Sequence, residues 1–169
     1  MVKWLRENRI AAFVLLIARV YLGWKWLEAG WHKIVDGFDA TRFLSNAIAN
    51  PVLDKATNEA VYPNFVYFLK HVALPNVDVI NFLVPWGEFL VGLGLILGVL
   101  TSAAAFFGLL MNFMFMFAGT VSTNPWLTLF GFIVLAAGAN AGKLGGDYFV
   151  LPYLRKLAER LWKRESARA

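Results

Sequence analysis

Residues 24 to 33 read WKWLEAGWHK and place Lys25, Glu28, His32 and Lys33 within ten positions. On a helix, Glu28 and His32 lie one turn apart and Lys25 is three residues from Glu28, so the three can act on one bound group. At roughly 100° per residue, Tyr21, Trp24, Lys25, Glu28, Trp31 and His32 share a face about 120° wide. Aromatic rings interleaved with proton-carrying and cationic groups suit a flat conjugated head group. Trp24 and Trp31 stack on it, Glu28 or His32 exchanges protons with its oxygens, and Lys25 holds developing negative charge. A bilayer penalises each charge at mid-depth by roughly 2.5–3.5 kcal/mol. The face is therefore expected to turn toward the interior of a helix bundle or an outward-facing cavity.

Two further charges sit deep in apolar surroundings. Glu88, in PWGEFLVGLGLILG, lies roughly 13 Å below the outer end of its segment at 1.5 Å per residue, a depth at which Lys25 of an antiparallel neighbour is the expected partner. Arg19 is the deeper alternative. Asn112 falls near mid-membrane and can hydrogen-bond into the same cluster. The expected site is an outer-half polar pocket with Glu28, His32 and Glu88 as catalytic groups. Arg19, Tyr21, Trp24, Lys25, Trp31 and Asn112 are the expected binding groups around them. A purely structural reading stands beside it: ion pairs can fix helix register, Asn112 can be interhelical glue, and His32 and Lys33 can snorkel to water.

These residues need helices to carry them. The chain has 169 residues, 59% apolar and 16% charged, against about 25% charged in a soluble domain, so a membrane bundle is expected. Four apolar segments, about 10–34, 79–100, 102–119 and 126–141, have the length of helices crossing a core of about 30 Å. The apolar start AAFVLLIA continues past Arg19 without a small-x-small site, so it reads as a span and not a cleaved leader. Gly23 and Gly30 form a seam with Arg19 and Trp26 on the other side of the first helix, and Gly92 offers a matching approach on the second.

The basic residues concentrate toward the two ends of the chain, while 35–78 carries more acidic than basic residues. This predicts cytoplasmic termini and an even number of spans. Residues 35–78 form an outer cap: Asp39 caps a short helix that stops at Pro51, and YPNFVYFLKHVALP supplies an amphipathic piece, although a greasy surface loop fits the same pattern. Residues 150–165 form a basic amphipathic helix suited to anionic lipid. The basic balance thus follows topology and not nucleic-acid binding.

The sequence has no cysteine, so disulfides, thiolate metal sites and iron–sulfur clusters are excluded. His32 and His71 do not make a haem pair, and no metal or flavin motif is present. ANAGKLGGD follows a membrane segment instead of a strand, so its glycines read as a helix stop and not a dinucleotide loop.

ARVYLGWKWLEAGWHK, PWGEFLVGLGLILG and GANAGKLGGD, in this order, resemble the first-, second- and fourth-helix signatures of the DoxX/DoxD-like membrane proteins. The resemblance implies an all-α integral membrane protein with a four-helix bundle. In some members this is the membrane subunit of a thiosulfate:quinone oxidoreductase or of a terminal quinol oxidase complex. It places Arg19, Lys33, Glu88, Asn140 and Asp147 on the motif positions. The expectation is a multi-pass protein of a prokaryotic plasma membrane that passes electrons from a small sulfur oxyanion to quinone, without its own metal or flavin. A second redox subunit or a homo-oligomer is the expected partner. The rival expectation is a non-enzymatic accessory or assembly protein, and a third is a small-anion carrier.

Overall fold

A computed structural model describes residues 2–166 of the chain, with side chains to residue 160. Arg168, and the side chains of Lys163 and Arg164 in the basic tail, lie outside the described residues. Among those residues the fold is helical, with a single isolated bridge, Leu53–Ala60, in place of any strand. A short α1 (Val2–Glu7) leads into the long α2 (Arg9–Val35). The connection that follows carries α3 (Thr41–Ala49), α4 (Pro63–Phe68) and a π-helical turn (Leu69–Ala73). Then come α5 (Val77–Leu97), α6 (Thr101–Phe117), α7 (Asn124–Ala137), α8 (Ala139–Gly142) and α9 (Asp147–Ser166).

Helices α2 and α5 are each long and apolar enough to cross a membrane. Helices α6 and α7 are apolar but have 17 and 14 residues. At 1.5 Å per residue they reach roughly 26 Å and 21 Å, and α7 is prolonged by α8 beyond a break at Gly138, where φ is 57°. The four helices close a ring: α2 packs on α5, α5 on α6, α6 on α7, and α7 on α2. Their shared core contains Leu15, Leu22, Trp26, Val91, Leu95 and Val134.

The α2–α5 contact is the most extensive in the fold, and glycine makes it possible. A Cβ on Gly23 would sit 2.9 Å from the Gly92 carbonyl oxygen, one on Gly30 would strike the Phe89 backbone, and one on Gly92 would strike the Leu27 backbone. Backbone therefore meets backbone along the seam predicted from Gly23, Gly30 and Gly92. Without solvent to expel between lipid-facing helices, such close packing supplies the attraction.

Residues 35–78 fold as a cap. Ala40, Leu44, Ala47, Leu69 and Ala73 form a second core, joined by Phe65, Phe68 and Ile80. Asn81 of α5 accepts the Ala40 amide at 2.8 Å and so ties the cap to the bundle. Asp39 was expected to cap α3; the N-cap is Ala40, and Asp39 sits one residue earlier, accepting the Thr41 hydroxyl at 2.6 Å and the Thr41 amide at 2.9 Å. The hydroxyl and then the amide hold its carboxyl below the ordinary range. This contribution is complete above the unfolded pKa and is lost as pH falls through the depressed one. An apolar cavity of about 90 Å³ remains between the cap and α5 and α6.

The glycine seam gives a direct test. Gly92→Val should lower the melting temperature in mild detergent sharply, beyond the roughly 1–3 kcal/mol of ordinary overpacking, because the added atoms meet backbone. Gly87→Ala on the same helix meets only the flexible Met111 sulfur, at 3.3 Å, and should melt close to the parent protein. Equal melting of both variants would refute the seam.

Candidate functional site

The α2–α5 register decides where each charge goes. The contacts Gly30–Phe89, Gly92–Leu27 and Gly23–Ile96 define one antiparallel alignment, in which Glu88 lies opposite position 31. Lys25 is then about six residues, roughly 9 Å, farther along the axis, and Arg19 about twice that distance. Neither reaches Glu88. Lys33 does: its ammonium binds both carboxylate oxygens of Glu88 at 2.5 Å. Glu88 is fully buried, whereas the Lys33 side chain keeps 29% exposure. The ammonium also stands 5.5 Å and 5.6 Å from the ring centroids of Phe38 and Phe115, both at the cap cavity. Lys33, which the residue-by-residue reading left free to snorkel, is thus the missing partner, and only its place in the family signature pointed to it.

Arg19 works at the other end of the bundle. It is 1% exposed, and its guanidinium donates to the carbonyls of Leu95 at 2.8 Å, Ile96 at 3.3 Å and Leu144 at 2.8 Å. These are the last carbonyls of α5 and one from the segment before α9, so a cation closes a helix C-terminus. Asp147 complements it by accepting the amides of Leu100 at 2.7 Å and Thr101 at 3.0 Å, which caps the start of α6 from a distant segment. Asn140 donates to the carbonyls of Leu5 at 2.7 Å and Asn8 at 3.0 Å and fastens α1. Asn112 is buried on α6, and its Oδ1 has no hydrogen-bond partner among the described residues. The expected single cluster of Arg19, Lys25, Glu88 and Asn112 is therefore not assembled.

The aromatic–ionic face of α2 also points elsewhere than expected. Tyr21, Trp24 and Trp31 are each more than half exposed, because α5 docks on the opposite glycine seam. Tyr21 leans on Phe130 of α7, with centroids 6.1 Å apart. Trp24, Leu27, Glu28, Trp31, His32 and Phe89 instead line a lateral groove of about 240 Å³ between α2 and α5. Trp31 and Phe89 stand 6.2 Å apart across it. Lys25 pairs with Glu28 at 3.3 Å, and His32 Nδ1 meets Asp36 Oδ2 at 3.3 Å. Sequence spacing gave the two indoles, Glu28 and His32. Leu27 and Phe89 were missed, since only the helix register brings Phe89 to this wall.

The arrangement offers two chemistries. The lateral groove presents aromatic faces, a carboxylate and an imidazole to a molecule arriving along the flank of the bundle. The Lys33–Glu88 pair, by contrast, is an internal tie: one ammonium meets both carboxylate oxygens, and the pair joins the two longest helices. Lys33→Met should destabilise the protein by about 3–5 kcal/mol, because it strands a buried carboxylate. The double variant Lys33→Met, Glu88→Met should recover most of that loss in detergent melting. A single variant that melts like the parent would show that the pair contributes nothing to packing.

No curated protein and no solved structure matches the chain. The family comparison does: the DoxX family matches residues 14–122, which takes in most of α2, the cap, α5 and α6. The match covers the glycine seam, the Lys33–Glu88 pair and the lateral groove together. With its two apolar helices of membrane-crossing length, this chain is a membrane protein that belongs to the DoxX family.

Proposed function

We propose that this protein is a quinone-linked membrane oxidoreductase, or the membrane subunit of one, with the quinone head group seated in the groove of Trp24, Trp31 and Phe89. The groove carries the reading: it opens sideways, is walled by rings, and places Glu28 and His32 on its rim. A lipophilic acceptor diffusing in the bilayer enters such a groove without leaving the apolar phase. Reduction of quinone to quinol takes up two electrons and two protons. His32, backed by Asp36, and Glu28 exchange protons with the two oxygens, and Lys25 beside Glu28 offsets negative charge as it develops. Glu88 lies directly before Phe89 in sequence and is held by Lys33, so it positions the groove wall. Arg19 and Asn112 support the bundle away from this site.

The donor in this reading is a small sulfur oxyanion such as thiosulfate. Two thiosulfate ions joined as tetrathionate release the two electrons that quinone accepts. With no cysteine, no covalent sulfur relay runs through the chain itself. Electrons pass directly or through a second redox subunit. In the accompanying topology all four ring helices cross the plasma membrane of a prokaryote, both termini are cytoplasmic, and the cap and groove lie toward the outer side.

A second reading, a non-enzymatic accessory or assembly protein, draws support from the number of buried polar groups engaged in holding helices together: Arg19, Asp147 and the Lys33–Glu88 pair. The two are separated by organic extraction and mass spectrometry of protein purified in mild detergent. Near-stoichiometric quinone in the parent protein, lost in a folded Glu28→Gln, His32→Ala variant, is the expected result. Absence of quinone from both, even after it is added back, would overturn the quinone reading and favour the accessory role.

A further inference from the structure

A second concave surface lies at the opposite end of α2 from the aromatic groove. Arg6, Ala139, Asn140, Lys143, Tyr148 and Arg155 surround a hollow of about 280 Å³ between α1, α8 and α9. Three cations from three separate chain segments thus converge on one depression. None of the three forms an ion pair among the described residues. The one acidic group in the wall, Asp147, has its two oxygens occupied by the amides of Leu100 and Thr101. Three cations against this one carboxylate leave the hollow with a net positive charge.

Its geometry is partly fixed. Arg6 donates Nε to the Ala136 carbonyl at 2.9 Å, which orients the guanidinium plane and leaves both Nη groups without an acceptor among the described residues. Asn140 anchors the α1 segment behind it. The surroundings identify the phase that the hollow meets. It lies just before the start of α2, whose apolar length is that of a membrane crossing. Tyr148 lines it, and the same two helices expose further aromatics, Trp4 on α1 and Phe149 and Tyr153 on α9. Aromatic rings with polar edges collect at the membrane–water boundary. A forked guanidinium and two further cations at that depth match the oxygens of a phosphate diester.

We infer that this hollow binds the phosphate head group of an anionic phospholipid, with Arg6, Lys143 and Arg155 as its ligands and Tyr148 against the glycerol region. The site is independent of the quinone groove, since it shares no residue with it. It converts the basic character of α9 from a diffuse surface attraction into a defined, saturable contact that also links α1 to α9.

The test is native mass spectrometry of the full chain in mild detergent, with phosphatidylglycerol or phosphatidylcholine added in equal amounts. One retained phosphatidylglycerol, preferred over phosphatidylcholine, is expected. Lys143→Gln, Arg155→Gln, which spares the Arg6 contact with Ala136, should weaken its retention roughly tenfold. Lys156→Gln, Arg160→Gln removes the same charge from α9 outside the hollow and should leave retention unchanged. Equal losses in the two variants, or equal retention of both lipids, would overturn the site in favour of diffuse attraction. A parallel titration with inorganic phosphate separates lipid from free anion. Displacement of the lipid by phosphate at comparable concentration would make this a free-anion site and overturn the lipid assignment.

Discussion

The close approach of α2 and α5 is the constraint on which the remaining structure depends. Three glycines let two backbones touch, and the register they impose is not adjustable, because a shift of one residue would drive side chains into carbonyls. Once that alignment is set, Glu88 must face the C-terminal end of α2, where Lys33 has the reach to neutralise it. The same alignment brings Phe89 beside Trp31 and so forms one wall of the lateral groove. A packing requirement thus determines both the buried ion pair and the candidate binding surface.

Charge is used differently along the bundle. At one end, full charges oppose each other in the Lys33–Glu88 pair, where lost hydration is offset by mutual attraction and by the faces of Phe38 and Phe115. At the other end, Arg19 and Asp147 serve backbone groups that the helices cannot satisfy internally. In hydrocarbon an unsatisfied carbonyl or amide is costly, so these residues are needed for helices to end where they do. Between the two ends the core is almost wholly apolar, with Asn112 as its buried exception.

Much of this was legible in the sequence, but not the assignment of faces. Apolar segments and glycine spacing were enough to identify α2 and α5 and the seam between them. A role for Asp39 at the start of α3 was also readable, although it bonds Thr41 from one residue before the N-cap, Ala40. The inward face of α2 was not, because tryptophans lie on both sides: Trp26 is buried, while Trp24 and Trp31 are exposed. With aromatics on either flank, polarity favoured turning the ionic face inward. Backbone proximity at Gly23 and Gly30 decided otherwise. The partner of Glu88 was missed for a related reason. Counting depth from the segment ends treats two helices as flush, whereas the glycine contacts set the true offset.

The cap that Asp147 provides for α6 has a consequence for the order of assembly. Leu100 and Thr101 begin α6 with amides that no nearby side chain accepts, and Leu100 itself is held in a left-handed conformation, with φ of 51°. Their acceptor is made 46 residues after Thr101, at the start of α9. At about 5–20 residues per second, the helix hairpin of α5 and α6 waits roughly 2–9 s during synthesis before its turn can be completed. The segment that closes the fold also begins the basic helix α9, so the turn between α5 and α6 and the start of α9 are completed in the same step.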